Sequence, residues 1–235
     1  MSAPDVAFVF GTRPEIIKTA PVLKECTERD LSSFVIHTGQ HYSPSLNEIF
    51  LRQFDLPPPD VNLEVGSGTH GEQTGAMLAS VERELQAREP DIVFVQGDTN
   101  STLAGGLAAA KLGSEVAHIE AGLRSFDRDM AEEINRVIVD HVAEHLFAPT
   151  DKAAEQLRKE GIPSDQISVT GNTIVDALRH YERAAETESD VLTAHDLEPE
   201  KFGLLTAHRA ETVDDPESFA SVLQGVAEAA DRLGI

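Results

Sequence analysis

Two carboxylates stand where a parallel α/β protein does its chemistry. Asp98 follows a strand-type run at 92–96, and Glu120 follows another at 116–119. If those strands are neighbours the two groups share one crevice. Two acids in unlike surroundings can then act as proton donor and proton acceptor. Each also has a local reading, Asp98 as a helix cap and Glu120 as the ion-pair partner of Arg124 four residues on. Glu132, Glu133 and Arg136 lie on the first turns of an amphipathic helix at 131–145. Acids there suit the helix dipole, and Glu132 with Arg136 makes an i,i+4 pair. Residues 11–18 read Gly-Thr-Arg-Pro-Glu-Ile-Ile-Lys. A glycine turn at a helix start offers free N–H groups to an anion, and Arg13 and Lys18 add charge for a phosphate or are plain surface cations. His208-Arg209-x-Glu211 follows a run at 203–206. Histidine moves protons near neutral pH and with arginine can hold a diphosphate, although the same residues can simply cap the last helix. His118 and His141 read as satisfied core histidines.

Gly66-Ser-Gly-Thr-His-Gly71 matches the dinucleotide fingerprint, with Asp91 twenty positions beyond. The preceding residues 61–65 make only a weak alternating strand, and Asp91 begins the next strand instead of ending one. A loop is therefore expected at 66–71, without a nicotinamide cofactor. No Cys/His cluster has zinc spacing, no Asp/Asn run resembles a calcium loop, and no metal is expected.

The elements that must position these groups alternate. Strands are expected at 6–10, 34–37, 92–96, 116–119, 146–148, 167–170 and 203–206. Helices are expected from 14 to 26, at 45–54, 72–88, 100–112, 131–145, 151–160 and 173–188, and from 216 to 233. The run Val6-Ala-Phe-Val-Phe10 is continuous, as in a strand buried on both faces. Alternation of this kind gives a parallel sheet with right-handed crossovers and ligands at the carboxyl ends of the strands. The expected boundary lies near 172, with an N-terminal Rossmann-like domain at 1–172. Residues 173–235 would be a linker helix and the start of a second α/β domain. One strand and one helix cannot bury a sheet, which points to a fragment or to a chain that is completed by another.

The 235 residues carry 41 acidic and 19 basic side chains, a net charge of −22. That balance excludes the broad basic footprint of nucleic-acid binding. With 13 Arg and only 6 Lys, it is the balance of a protein adapted to high salt, where screening removes self-repulsion. One cysteine, Cys26, rules out an intramolecular disulfide and fits a reducing cytoplasm. No apolar run approaches the roughly 18 residues of a membrane span.

Six segments in order, Gly11–Lys18, Gln96-Gly-Asp-Thr99, His118-Ile-Glu-Ala-Gly-Leu-Arg124, Glu132-Glu-Ile-Asn-Arg136, Thr170-Gly-Asn-Thr173 and His208-Arg-Ala-Glu211, closely resemble the non-hydrolysing UDP-N-acetylglucosamine 2-epimerases. The resemblance implies an α/β, glycosyltransferase-B-like fold with an incomplete second domain and no metal or nicotinamide. It implies interconversion of UDP-N-acetylglucosamine and UDP-N-acetylmannosamine by elimination and re-addition of UDP, and a homodimer when full length. It places Asp98, Glu120, Glu132 and His208 as catalytic residues. Arg13, Lys18 and Arg209 would face the diphosphate along with His208, and Arg136 would support Glu132 or reach the nucleotide. Ala131 stands where the family usually has proline. Gln40-His41-Tyr42 departs from the Gln-His-Arg of bacterial members with a second, allosteric substrate site, so that regulation is not expected. The uridine-diphosphate segment of the second domain is absent, and little activity is expected of the 235 residues alone. Other outcomes within reach are epimerisation of a related sugar such as a UDP-2,3-diacetamido uronic acid, a hydrolysing epimerase, and an inactive nucleotide-sugar-binding fragment.

Overall fold

The computed structural model describes residues 4–39, 44–207 and 210–234. The elements in order are β1 (Val6–Phe10), α1 (Arg13–Glu28), β2 (Ser33–His37), α2 (Pro44–Gln53), β3 (Val61–Asn62), α3 (His70–Arg88), β4 (Ile92–Gln96) and α4 (Asn100–Leu112). There follow β5 (Glu115–Ile119), α5 (Ala131–Val142), β6 (His145–Ala148), α6 (Asp151–Lys159), β7 (Ile167–Val169), α7 (Thr173–Glu188), α8 (Val191–Ala194), α9 (Ala210–Val213) and α10 (Pro216–Leu233). The seven strands form one sheet in the order β3-β2-β1-β4-β5-β6-β7, and every pairing is parallel. The strand order reverses between β1 and β4, where Val6 pairs with Ile92. In such sheets a crevice opens beyond the carboxyl ends at the reversal.

All five residues of β1 are buried. Phe8 stacks on Phe94 and Phe94 on Phe147, with ring centroids 4.9 and 6.3 Å apart. The helices cover the sheet closely. At Gly105 of α4 an added Cβ would lie 2.9 Å from Val9 and Val95, so only glycine lets α4 approach this near. That contact fixes the start of α4 over the ends of β1 and β4. A capping box of Thr99 and Thr102 closes the helix start.

By compactness the chain divides into Met1–His180 and Tyr181–Ile235. The first turns of α7 go with the sheet. His180 stacks on Phe54 with centroids 4.9 Å apart, and its Nε2 lies 2.9 Å from the Gln53 carbonyl. The second unit is helical. Its α10 begins with Pro216, its N-cap Asp215 accepts from the Ser218 N–H at 3.0 Å, and Gly234 ends it in a left-handed conformation. Residues 203–206 form no strand, contrary to the sequence expectation, and Leu204 is 92% exposed. A strand needs a neighbour for its N–H and C=O groups, and the second unit holds no other strand among its described residues.

Candidate active site

The site grows from four loops at the carboxyl edge of the sheet. Glu120 follows β5 with φ 68, a left-handed backbone that turns its side chain back over the strand ends. Three donors converge on its carboxylate. Lys18 Nζ lies 2.6 Å from Oε2, Asn172 Nδ2 lies 2.6 Å from Oε1, and Gln96 Nε2 also donates to Oε2. These donors come from α1, from the loop after β7 and from the end of β4. Arg124 is not among them. Its guanidinium is buried on Asp140 and Glu160, which removes the i,i+4 reading of Glu120.

Asp98 follows β4, two residues after Gln96. Gln96 pairs with Ile119, so β4 and β5 are neighbours and the two carboxylate loops are adjacent. Arg136 of α5 bonds Asp98 through Nη2 and Glu133 through Nη1, the latter at 3.2 Å. Asn135 Nδ2 donates to the Asp98 carbonyl at 2.9 Å. The side chain of Asp98 therefore faces a cation and its backbone is held from α5. Thr99, not Asp98, supplies the helix cap of α4.

The paired acids at the start of α5 divide. Glu133 is buried and accepts from the Ser125 N–H at 2.9 Å, the Ser125 hydroxyl at 3.0 Å and the Phe126 N–H at 3.0 Å. Burial alone would raise its carboxyl. Those donors and the Arg136 charge outweigh burial and hold it below the ordinary range. Glu133 thus ties the loop after β5 to α5. Glu132 is exposed and its side chain makes no hydrogen bond among the described residues, and the pair it was expected to form with Arg136 is absent.

Arg13 is exposed at the start of α1, its guanidinium 5.8 Å from the Phe50 ring centroid. His208 and Arg209 lie outside the described residues, as do Gln40, His41 and Tyr42. His141 is exposed, not a core residue, with Nδ1 2.8 Å from the Val137 carbonyl. His118 is buried with both ring nitrogens bonded, as expected of a core histidine.

The glycine run at 66–69 is a helix lead-in. Thr69 and Glu72 cap α3 reciprocally. An amide chain then ties it to the site. Gln73 donates to the Gly66 carbonyl at 2.7 Å, Asn100 donates to Gln73 at 2.8 Å, and Asn135 donates to Asn100 at 3.2 Å. Asp91 sits before β4, at the amino end of the sheet. Among the described residues no group of three or more His, Cys, Asp or Glu could hold a metal ion.

Glu15 had no role in the sequence reading. It is 1% exposed and clasps the loops after β1 and β4, accepting from the Gly11 N–H at 3.1 Å and the Thr99 hydroxyl at 2.7 Å. Burial, only partly offset by its Thr12, Thr99, Thr102 and Gly11 donors, raises its carboxyl above the usual range. Above the unfolded carboxyl's ordinary value the folded state then holds a proton that the unfolded state has lost. Glu15 therefore costs stability as pH rises through that window. Glu15→Gln cannot titrate, and the threonine hydroxyls can turn to accept from its amide. Its melting temperature minus that of the unaltered chain is expected to grow from pH 4 toward neutrality. Parallel curves would mean that Glu15 ionises in the fold as it does in water.

A family model described as UDP-N-acetylglucosamine 2-epimerase matches residues 24–234. The UDP-N-acetylglucosamine 2-epimerase of Methanocaldococcus jannaschii is 48% identical over 225 residues, covering 95% of this chain and 62% of that protein. A UDP-2,3-diacetamido-2,3-dideoxy-D-glucuronate 2-epimerase of Pseudomonas aeruginosa is 42% identical over 223 residues, covering 94% and 62%. The crystal structure of the Methanocaldococcus jannaschii enzyme with UDP-GlcNAc and UDP superposes with a TM-score of 0.85 at 48% identity, again covering 95% and 62%. The chain thus spans 62% of the length of each of these relatives.

Proposed function

The chain belongs to the UDP-N-acetylglucosamine 2-epimerase family, and from that premise we propose that its complete gene product interconverts UDP-N-acetylglucosamine and UDP-N-acetylmannosamine at C2. The observation that carries the proposal is the convergence of Lys18, Gln96 and Asn172 on Glu120, one loop away from the Asp98–Arg136 pair. The C2 proton is barely acidic, since no carbonyl is adjacent to it. A base removes it as the C1–O bond breaks. The C–H electron pair becomes the C1=C2 bond, and the C1–O pair leaves with UDP, giving 2-acetamidoglucal. A proton delivered to the other face of C2 and return of the UDP oxygen to C1 give the epimer. No redox partner enters the balance.

Glu120 and Glu132 are the proton carriers in this scheme, and Asp98 is a base or an organiser fixed by Arg136. His208 is the further catalytic residue. With Arg13, Lys18 and Arg209 it meets the diphosphate, whose charge grows as the C1–O bond breaks, and preorganised cations stabilise that charge. Lys18, already on Glu120, links the leaving group to the proton carrier.

The test incubates the complete gene product with UDP-N-acetylglucosamine in deuterated buffer at molar KCl and follows C2 by NMR. Deuterium at C2 with UDP-N-acetylmannosamine formed is the expected result, and no exchange overturns it. Free N-acetylmannosamine as product would assign a hydrolysing epimerase. Exchange only on a UDP-2,3-diacetamido uronic acid would assign that substrate instead. The 235-residue chain, run in parallel, is expected to show little exchange.

The setting follows the same premise: a homodimer of the complete product, in the cytoplasm, without nucleic-acid or membrane partners. The single Cys26, buried and unpaired, fits a reducing compartment. The charge of −22 favours high salt. The melting temperature is expected to rise along a KCl series toward molar concentration as repulsion is screened. A flat or falling series would remove the salt adaptation.

A further inference from the structure

Beneath the two carboxylates lies a buried pair that the chemistry above does not use. His118 of β5 and Asp140 of α5 are 0% and 1% exposed. The His118 Nδ1 is 2.7 Å from Asp140 Oδ1, and its Nε2 is 2.7 Å from the Gly97 carbonyl. The other Asp140 oxygen accepts from the Gly122 N–H at 3.1 Å and from Arg124 Nη1 at 2.7 Å. Gly97 immediately precedes Asp98, and Gly122 lies two residues after Glu120. One side-chain pair therefore grips the backbone of both carboxylate loops.

Those loops need an external hold. Gly97, Glu120 and Gly122 all have left-handed backbones, with φ of 74, 68 and 83. Such a run has little local preference to keep it in place. Both His118 nitrogens face oxygens. A carbonyl only accepts, and an ionised carboxylate only accepts, so each of the two bonds calls for hydrogen on its ring nitrogen. Burial would raise the Asp140 carboxyl, but the His118 and Arg124 charges outweigh it and hold the carboxyl below its ordinary range. Arg124 in turn grips Glu160 with two bonds, at 2.9 and 2.5 Å. His118, Asp140, Arg124 and Glu160 thus form one hydrogen-bonded polar row. A core asks for no such row, since apolar side chains of the same volume serve stability as well.

We propose that His118 and Asp140 are positioning residues, a buried clasp that sets the Asp98 loop against the Glu120 loop. The clasp touches no substrate and acts only through Gly97 and Gly122. Its catalytic consequence rests on the C2 epimerisation proposed above.

The test separates the two bonds of the ring. In His118→Asn the amide nitrogen replaces Nδ1 and keeps Asp140 while releasing Gly97. In His118→Gln it replaces Nε2 and keeps Gly97 while releasing Asp140. Both are made in the complete gene product. The expected result is a kcat lowered about 10- to 100-fold, with KM within about threefold. Backbone amide shifts should move at Gly97 and Asp98 in the first variant and at Gly122 in the second. In the unaltered protein, side-chain 15N spectra should show both His118 nitrogens protonated. A bare ring nitrogen overturns the clasp, as does an unchanged kcat in folded variants or a loss carried by KM alone. The 15N spectrum and the amide shifts do not depend on turnover. If the unaltered enzyme exchanges nothing at C2, the epimerase proposal fails while these readouts still decide the clasp. If neither variant folds, the ring spectrum decides it.

Discussion

Glu120→Gln is expected to lower deuterium exchange at C2 by about 10³-fold while the protein still melts cooperatively. Glutamine keeps the planar shape and one accepting oxygen, and it loses the ability to carry a proton. The carboxylate sits at the meeting point of Lys18, Gln96 and Asn172. An amide placed there turns an NH₂ group toward a donor, which costs about 1–3 kcal/mol of stability. The catalytic loss, about 4 kcal/mol, is the larger of the two. The comparison is decided by NMR exchange rates against thermal melts of the same two proteins. Turnover retained within a few-fold would reduce Glu120 to an anchor for Lys18. Arg124 offers no escape from that conclusion, because Asp140 and Glu160 already occupy it.

The second large effect is on the fold. Gly122→Ala would put a Cβ 2.4 Å from the Ala153 carbonyl oxygen and 2.9 Å from Leu157 Cγ, at a φ of 83. Ala153 and Leu157 are buried on α6, and neither is the loose end of a flexible chain. The left-handed backbone costs an alanine roughly 1–2 kcal/mol, and the crowding roughly 1–3 kcal/mol more. Together they should lower the melting temperature of the chain by about 4–20 °C. Gly113→Ala is the control. Its φ is 86 and nothing lies within 4 Å of the added carbon, so it carries the backbone cost alone. Equal melting temperatures for the two variants would show that α6 moves aside freely.

The sheet was legible because its first strand is buried on both faces, and continuous apolar runs such as Val6–Phe10 and residues 92–95 have few other homes. The gathering of Glu120, Lys18, Gln96 and Asn172 at one edge of the sheet follows from the same runs, since reactive side chains recur after them. Partnerships within the site were not legible. Spacing names only local neighbours, so it paired Glu132 with Arg136 and Glu120 with Arg124. The fold instead pairs Arg136 with Asp98 and Lys18 with Glu120, through a strand order that no local pattern contains. Spacing also could not divide Glu132 from Glu133, because one step along a helix turns a side chain by a quarter of the circumference, and only the loop after β5 decides which one it meets. Gln96 and Asn172 stood within recognised segments, yet an amide carries no charge to single it out. Residues 203–206 have the composition of a strand, and no strand pairs with them among the described residues.

The reversal of strand order between β1 and β4 also governs how the chain must assemble. β2 and β1 can pair as soon as both have left the ribosome, but the other side of β1 waits for Ile92–Gln96. Until then Val6–Phe10, the most apolar strand of the sheet, is an open edge able to pair with any other nascent chain. Closing so long a loop is slow compared with the local pairings around it. Synthesis that pauses before residue 96 therefore leaves β1 uncovered, and the arrival of β4 passes the open edge on to Ile92–Gln96 until β5 follows.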